Sequence, residues 1–372
     1  MNHPLGLYIH IPFCATKCPY CDFYSVPYRS LVEQEYIDTM VSHIYRYKDT
    51  GYTADTLYFG GGTPSLIKTQ SIEKIVRACE DVFSLKGEIT LEGNPNTVSK
   101  SKMHDYASIG INRLSFGMQS SVEKELSALG RTHSTNQVAS AVDYAISAGI
   151  TNLSLDLMLG TPYQTIESID SSLRFLTSLP IVHISAYMLK VEENTPFANS
   201  PIISECVDED SLANIYFHTV STLQQSGFLQ YEISNFAKKG YESRHNLKYW
   251  LGNEYIGFGA SAHSHLNKKR FYHPNDLNAY IRSNGDNTIF SDEHADDIDE
   301  YIMLHLRLVD GLNLQTLESI FGVSKQLMIA KSEKYVTHQL AKLECDHLFL
   351  TPKGFLVSNA IILDLLQNVI IQ

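Results

Sequence analysis

Three cysteines lie close together near the start of the sequence, whereas the other three are scattered. Cys14, Cys18 and Cys21 fall within eight residues in the pattern CxxxCxxC. Three thiolates can hold three irons of a 4Fe-4S cluster, and the fourth iron then stays open to an external ligand. An open coordination position is typical of a catalytic metal site rather than a structural one. The pattern therefore predicts a catalytic type of iron–sulfur cluster on this loop.

A zinc ion is the alternative that these cysteines leave open. Zinc would need a fourth ligand, for which His10 is the nearest candidate, but the spacing differs from the usual zinc pairs.

The N-terminus has no basic segment ahead of its short apolar run, which predicts a cytoplasmic protein. In a reducing cytoplasm, clustered cysteines indicate metal binding rather than disulfides.

A glycine run and four polar residues form a second group of candidates. Gly60-Gly61-Gly62-Thr63 follows a strand-like segment, and residues without a Cβ let the backbone approach a ligand closely. Later strand-like segments carry or precede Glu92, Gln119, Arg131 and Asp156. The alternatives are a tight turn for the glycines and capping or surface ion pairs for the polar residues. The alternative is stronger for Arg131 than for Asp156, because Asp156 lies in an apolar run where a carboxylate is costly.

Strand-like and helix-like segments alternate through the first two-thirds of the chain. Runs of β-branched and aromatic residues predict strands at 7–11, 56–60, 88–92, 113–117, 153–158 and 183–188. Apolar residues at three- and four-residue spacing predict helices at 32–47, 71–83, 134–148 and 168–179. This alternation predicts an α/β fold with a parallel sheet, in the form of a partial (β/α)6 barrel. The cysteine loop follows the first strand, at the end where such barrels carry their chemistry.

Three regions are predicted along the chain. Residues 1–236 are expected to form the barrel, and residues 237–295 a connecting segment that runs into an acidic stretch at 291–300. Residues 296–372 are expected to form helices followed by a strand pair near 347–357, in the order of a winged helix. From Asp296 onward, 6 lysines and arginines stand against 10 aspartates and glutamates, which argues against DNA binding by this domain.

The composition is that of a folded, acidic protein. Of 372 residues, 44% are hydrophobic and 19% are charged, which excludes a disordered chain. The net charge of -12 repels phosphate backbones and argues against a nucleic acid partner. No run reaches the ~18 apolar residues that a transmembrane helix needs, so the sequence predicts no membrane span and leaves only peripheral membrane contact open.

The CxxxCxxC loop after the first strand of a βα repeat resembles the radical S-adenosylmethionine superfamily. In that superfamily the open iron binds S-adenosylmethionine, and reductive cleavage of this cofactor releases a 5′-deoxyadenosyl radical. The resemblance implies that Cys14, Cys18 and Cys21 ligate the 4Fe-4S cluster. It also implies an S-adenosylmethionine pocket formed by Tyr8, Tyr20, Gly61, Gly62, Thr63, Glu92, Gln119, Arg131, Asp156 and Ala186.

Further segments resemble one branch of this superfamily. They are LYIHIPFC, FGGGTPS, LSFGMQS, DLMLGTP and FGASAHS. The branch contains the oxygen-independent coproporphyrinogen III dehydrogenases and the heme chaperones related to them. The dehydrogenase pattern has a further cysteine where this sequence has Phe23, and it has a long N-terminal extension where this sequence has about seven residues before Tyr8. Both departures favour the heme chaperones.

The segment from His245 to Trp250 matches the HNxxYW motif of those chaperones and contains the only tryptophan. A histidine can supply an axial nitrogen to heme iron, and tyrosine and tryptophan rings can pack on the porphyrin face. The alternative is a packed aromatic corner whose histidine is already hydrogen-bonded. The resemblance favours heme binding by His245, Tyr249 and Trp250.

The sequence therefore predicts a heme chaperone with a 4Fe-4S cluster, S-adenosylmethionine and heme. By resemblance, it would deliver heme to apo-hemoproteins of the respiratory chain and would form a homodimer. The enzymatic alternative is an oxygen-independent coproporphyrinogen III dehydrogenase, which oxidatively decarboxylates propionate side chains. A third alternative is a binding protein that keeps the cluster as a structural or redox-sensing element, and the glycine run and Glu92 disfavour it.

Overall fold

The computed structural model describes residues 4–292 and 295–367. Its strands are β1 (Leu5–Ile11), β2 (Phe13–Cys14), β3 (Val26–Pro27), β4 (Ala54–Gly61), β5 (Glu88–Gly93), β6 (Arg113–Gln119), β7 (Asn152–Leu159), β8 (His183–Met188), β9 (Leu229–Gln230), β10 (Asn235–Ala237), β11 (Tyr255–Phe258), β12 (His263–Leu266), β13 (Lys269–Tyr272), β14 (Ile289–Asp292), β15 (Leu312–Asn313), β16 (Ala341–Glu344) and β17 (His347–Leu350). Its α-helices are α1 (Ser30–Tyr45), α2 (Thr69–Phe83), α3 (Lys100–Ile109), α4 (Glu123–Ala128), α5 (Thr135–Ser147), α6 (Ile166–Ser178), α7 (Glu209–Gln225), α8 (Arg244–Trp250), α9 (Leu277–Arg282), α10 (Ile298–His305), α11 (Leu314–Phe321), α12 (Lys325–Thr337), α13 (Pro352–Leu356) and α14 (Ser358–Leu366).

One large sheet carries the core of the structure. Its strand order is β14-β13-β12-β11-β1-β4-β5-β6-β7-β8-β10-β9, and the neighbours from β11 to β8 are all parallel. Helices between β1, β4, β5, β6, β7 and β8 return the chain from each of these strands to the next. This arrangement confirms the predicted α/β fold with a partial (β/α)6 barrel.

Local sequence signals place the barrel elements. Each predicted barrel strand and helix ends within two residues of the observed one. The strands are nearly continuous buried runs, as expected for a parallel sheet covered by helices. α5 begins at a capping box in which Ser134 and Gln137 each accept a hydrogen bond from the other's backbone N–H. Such caps can be recognised from the sequence, because they involve only residues that are close together along the chain.

Residues 237–292 extend the main sheet. β11 pairs in parallel with β1, so that Gly6 lies opposite Tyr255, and β12, β13 and β14 continue outward as antiparallel strands. The four strands are absent from the predicted set, because the pairing with β1 joins residues about 250 positions apart. The division of the chain into domains at residues 236 and 295 stays a prediction.

The described part of the C-terminal region forms the predicted winged-helix-like arrangement, and residues 368–372 of the predicted region lie outside the described residues. α10, α11 and α12 precede the β16–β17 hairpin, and β15 pairs with β17. The hairpin lies at 341–350 rather than 347–357, because Cys345 and Asp346 have the positive φ values of a tight two-residue turn. Thr351 then caps α13, and Pro352 is the first residue of that helix. No helix within residues 4–292 and 295–367 is long and apolar enough to cross a membrane.

Candidate functional site

A cavity of about 500 Å³ lies inside the barrel, below the cysteine loop. Its walls come from that loop and from β4, β5, β6, β7 and β8. The predicted site residues that line it are Cys14, Cys18, Tyr20, Cys21, Gly61, Gly62, Thr63, Glu92, Gln119, Arg131 and Asp156. The parallel sheet thus brings together side chains that are spread over more than a third of the sequence.

All three thiols of the cysteine loop face the cavity. Cys14 Sγ lies 3.6 Å from Thr63 Oγ1, and Cys18 Sγ lies 3.7 Å from Nη1 of Arg131. The Arg131 guanidinium thus places a positive charge beside one of the three thiols. At Cys21, burial raises the pKa of the thiol.

A single zinc ion would need the thiols and a fourth ligand to converge on one point. In the described part of the chain, no three His, Cys, Asp or Glu side chains converge closely enough to hold one metal ion. In a 4Fe-4S cluster each thiolate binds a different iron, so its ligands stand further apart. His10 is also occupied, since its ring nitrogens lie 3.1 Å from Tyr8 Oη and 3.0 Å from the Tyr24 carbonyl oxygen. Tyr8 itself is not among the residues that line the cavity.

The glycine run packs against the segment that leads into the cysteine loop. A Cβ at Gly61, whose φ is 107°, would lie 2.7 Å from the His10 ring, and a Cβ at Gly62 would lie 2.8 Å from the Phe13 carbonyl oxygen. The N–H groups of Gly62 and Thr63 donate hydrogen bonds to carbonyl groups of that segment at 2.7 and 2.9 Å. Only glycine permits this close approach, which holds the end of β4 beside the cysteines.

Glu92 and Asp156 are carboxyl groups deep in the barrel, half-buried because they face the cavity. Tyr58 Oη donates to Glu92 Oε1 at 2.6 Å, and Ser115 Oγ donates to Asp156 Oδ1 at 3.1 Å. Burial raises the pKa of Glu92 to about 7 and that of Asp156 to about 6. A bound cation would favour the ionised carboxylates, so these groups are suited to a positively charged ligand.

Gln119 and Arg131 connect β6 with the cysteine loop. Gln119 Oε1 accepts a hydrogen bond from Tyr187 Oη at 2.9 Å, and the Gln119 backbone has a φ of 68° at an irregularity between β6 and β7. Arg131 Nη2 donates to the Gly117 carbonyl oxygen at 2.5 Å while Nη1 contacts Cys18. Arg131 is therefore no surface ion pair, contrary to the simpler alternative.

Ala186 does not line the cavity. Successive side chains on a strand point to opposite faces. Ser185 and Tyr187 line the cavity, whereas Ala186 packs with Ile184 in the hydrophobic core. The Ala186 N–H donates to the Ser234 carbonyl oxygen at 2.8 Å. A role for Ala186 in cofactor binding stays a prediction.

The histidine of the HNxxYW segment is fully buried and hydrogen-bonded on both sides. His245 Nδ1 lies 2.8 Å from Thr56 Oγ1, and Nε2 lies 2.7 Å from Tyr249 Oη. The ring stacks on Tyr58 with centroids 5.1 Å apart, and burial lowers the His245 pKa to about 3. In this conformation neither ring nitrogen is free to ligate heme iron. His245 is thus part of a packed aromatic corner in which the histidine is already hydrogen-bonded.

The two other predicted heme residues lie on the same helix and are not among the residues that line the barrel cavity. Tyr249 packs edge-on against Tyr255 with centroids 4.6 Å apart, and Trp250 lies 5.8 Å from the Arg307 guanidinium. Asn246 is the residue of this motif that lines the barrel cavity. Heme binding by His245, Tyr249 and Trp250 stays a prediction.

Several cavity residues are missing from the predicted set, namely Tyr58, Arg113, Ser115, Ser185 and Tyr187. They alternate with apolar residues along β4, β6 and β8. Polar side chains at every second position of a buried strand indicate an inward polar face. That period is the signal from which they could be found.

Comparisons with known proteins agree with this architecture. Residues 8–176 match the family model of the Radical SAM superfamily, and residues 292–357 match that of the HemN C-terminal domain. The protein named "Heme chaperone HemW" in Haemophilus influenzae is 35% identical, with 90% of this chain and 91% of that protein covered. The protein of the same name in Escherichia coli is 38% identical over 70% of each chain, and the one in Bacillus subtilis is 32% identical over 95% and 97%.

A solved structure shares the fold. The coproporphyrinogen III oxidase HemN from Escherichia coli, a radical SAM enzyme, matches with a TM-score of 0.84, covering 98% of this chain and 90% of that chain. The two sequences are 21% identical, so this likeness shows the fold alone. The relatives above 30% identity match along most of their length, and the chain therefore belongs to the HemW-type family of the radical SAM superfamily.

Proposed function

We propose that this protein is a heme chaperone that binds a 4Fe-4S cluster and S-adenosylmethionine in its barrel and delivers heme to apo-hemoproteins. The observation that carries the proposal is the convergence of three cysteine thiols, the glycine run and four polar side chains on one cavity. Relatives that match nearly the whole chain carry the name heme chaperone, which supports heme as the cargo.

The cysteine end of the cavity fits a cluster. Cys14, Cys18 and Cys21 would each bind one iron, and Arg131 beside Cys18 would stabilise the negative charge of the thiolates. Gly61 and Gly62 allow the end of β4 to pack closely against the segment that leads into the cysteine loop. When bound, the cluster and S-adenosylmethionine would supply one-electron chemistry.

The middle of the cavity fits the cationic groups of S-adenosylmethionine. Glu92 and Asp156 would face its ammonium and sulfonium charges, and their ionised forms would be favoured on binding. Gln119, positioned by Tyr187, would hydrogen-bond the ligand. Tyr20 lines the same cavity and would pack against its adenine.

Heme ligation by His245 would require α8 to change conformation. The ring must leave its hydrogen bonds with Thr56 and Tyr249 before a nitrogen can reach iron. We infer that in the heme-free protein α8 holds His245 buried and hydrogen-bonded, which we call the closed state. Heme binding then moves α8 so that His245 leaves these hydrogen bonds.

Coproporphyrinogen III dehydrogenation is the alternative activity. Phe23 lies where the dehydrogenases have a further cysteine, and its side chain is 68% exposed at the cavity rim. The absence of a thiol at this position supports the chaperone.

Anaerobic turnover of coproporphyrinogen III, with a reconstituted cluster, S-adenosylmethionine and a reductant, separates the two activities. A known dehydrogenase serves as the positive control, and hemin uptake is titrated on the same preparation. We expect stoichiometric hemin uptake and no product. Product formation would instead make the protein an enzyme of heme biosynthesis.

Acceptors, location and assembly belong to the same proposal. We propose respiratory-chain apo-hemoproteins as acceptors, a cytoplasmic location and a homodimer. The proposed acceptors are tested by mixing the heme-loaded protein with a purified apo-hemoprotein and monitoring heme transfer by absorption spectroscopy. The proposed homodimer is tested by sedimentation of the protein with and without the reconstituted cluster.

A further inference from the structure

Arg113 is a buried arginine at the amino end of β6 that the cofactor assignment does not use. Its side chain is 1% exposed and lines the barrel cavity. Ser115, Gly117 and Gln119 follow at every second position and line the same cavity, so Arg113 faces inward with them. Gln119 is six positions after Arg113 on this strand. Arg113 therefore lies roughly 20 Å along the sheet from the end that carries Gln119 and the cysteine loop.

The Arg113 guanidinium has no anionic partner among the residues that the structure describes. It takes part in none of their ion pairs, which all involve other cations. Its Nε and Nη1 atoms are buried and have no hydrogen-bond partner. A buried cation without a partner is costly, since burial removes hydration and nothing replaces it.

The surroundings of Arg113 are polar and suited to oxygen atoms. Ser115, Ser185, Asn235 and Asn246 line the same cavity. The hydroxyls of Ser115 and Ser185 bond Asp156 and the Asn235 amide bonds Glu232, whereas the Asn246 amide makes no such bond among the described residues. Burial raises the pKa values of Glu92 and Asp156, and the Arg113 guanidinium opposes this rise only in part. Neither carboxyl group forms an ion pair with Arg113. Among the described residues, the cavity therefore has acidic groups in its middle and, at its inner end, a cation that forms no ion pair.

We propose that Arg113, with the Asn246 amide as a neighbouring donor, binds a carboxylate of a ligand that occupies the inner end of the cavity. A guanidinium matches a carboxylate with two parallel hydrogen bonds, which an ammonium cannot do. The ligand class is an organic carboxylate, either a porphyrin propionate or a free organic acid. The assignment rests on the proposed function only in placing S-adenosylmethionine in the rest of the cavity.

Two probes distinguish the sources of the carboxylate. Propionate labelled with 13C at its carboxyl group is titrated by NMR, and hemin is compared with hemin dimethyl ester by absorption. Each titration uses the wild type, Arg113→Gln, Arg113→Lys and the control Arg174→Gln, an exposed arginine on α6. S-adenosylmethionine binding by the reconstituted protein is measured separately by calorimetry.

We expect Arg113→Gln to weaken carboxylate binding at least tenfold, Arg113→Lys to weaken it less, and Arg174→Gln to leave it unchanged. Propionate binding that depends on Arg113 identifies a free acid. A preference for hemin over its ester that disappears in Arg113→Gln identifies a porphyrin side chain. If Arg113→Gln does not fold, Arg113→Lys must still weaken binding at least threefold.

Carboxylate binding that is the same in all folded variants would overturn the proposal. The proposal would also be overturned if Arg113→Gln lost only its S-adenosylmethionine binding. Arg113 would then hold the methionine carboxylate of that cofactor. Failure of cluster assembly or hemin uptake in the wild type would instead contradict the proposed function, and propionate binding could still be measured.

Discussion

At the residue scale, the cavity combines groups whose chemistry depends on what lies beside them. Cys18 differs from the scattered cysteines because the Arg131 guanidinium lies beside it. Glu92 differs from a surface glutamate because burial moves its pKa to about 7. Both features can be tested by single substitutions.

Replacing Cys18 by alanine is expected to abolish assembly of a complete 4Fe-4S cluster, because one iron loses its protein ligand. Iron and sulfide content after anaerobic reconstitution measures the effect. Cys345→Ala is the matched control, since Cys345 is exposed in the β16–β17 hairpin. A full cluster in Cys18→Ala would contradict the cluster assignment.

S-adenosylmethionine binding is expected to strengthen about three- to tenfold as pH rises from about 6 to about 8. Glu92, with a pKa of about 7, is partly protonated in that range, and a cationic ligand favours its carboxylate, so binding releases a proton. Calorimetry in two buffers of different ionisation enthalpy counts the proton. Glu92→Gln should remove most of the pH dependence, and an unchanged dependence would assign it to another group.

At the element scale, α8 closes the amino end of the barrel and holds His245 against β4. Lys248 also anchors this helix, since its Nζ lies 2.8 Å from Asp55 Oδ1 and 2.8 Å from the Pro4 carbonyl oxygen. The helix that carries the predicted heme residues is thus part of the barrel's packing. Its hydrogen bonds oppose any conformation that frees His245.

Thr56→Val is expected to raise hemin affinity about threefold or more, while His245→Ala abolishes ligation by this histidine. Valine removes the hydroxyl that bonds His245 Nδ1 and leaves a buried nitrogen without a partner, a cost of about 1–3 kcal/mol to the closed state. Hemin titration with absorption spectroscopy measures both variants. Lower affinity in Thr56→Val would argue against release of α8.

At the scale of the whole molecule, stability is expected to fall as pH decreases from about 6.5 to about 4. Burial lowers the pKa of His245 and His43 to about 3 and that of His10 and His133 to about 4. The unfolded chain, with ordinary histidines, binds more protons in this range. Acid therefore favours unfolding.

Three carboxyl groups act in the opposite direction. Burial raises the pKa of Glu92 and Glu232 to about 7 and that of Asp156 to about 6, so their contribution to stability is lost as pH rises. Urea midpoints at about pH 7 and about pH 5 measure the balance. Glu232→Gln should show a larger loss on acidification than the wild type, whereas a wild-type midpoint that rises on acidification would contradict the prediction.

The barrel and the C-terminal unit are joined by backbone pairing as well as by the chain. The Ile233 N–H donates to the Arg307 carbonyl oxygen at 2.9 Å, and the Val309 N–H donates to the Tyr231 carbonyl oxygen at 3.1 Å. Glu232 is fully buried between these contacts. This junction connects protonation of a barrel residue with the packing of the C-terminal helices.

Much of this architecture follows from local patterns. The strand and helix periods, the capping residues and the spacing of Cys14, Cys18 and Cys21 depend on neighbours within a few residues, so the barrel strands and the cysteine loop are predictable from the sequence. The resemblance adds Glu92 and Asp156, which the structure places on the same cavity.

The rest depends on contacts between distant parts of the chain. β11 joins β1 across about 250 residues, and no local period predicts such a pairing. The face that Ala186 presents depends on the register of β8, because a shift of one residue exchanges it with Ser185 or Tyr187. Likewise, the hydrogen bonds of His245 form only when the fold brings Thr56 and Tyr249 to its ring. The buried Arg113 atoms lack hydrogen-bond partners only inside the assembled barrel. Burial and hydrogen bonding are properties of the assembled fold, so the sequence alone does not determine them.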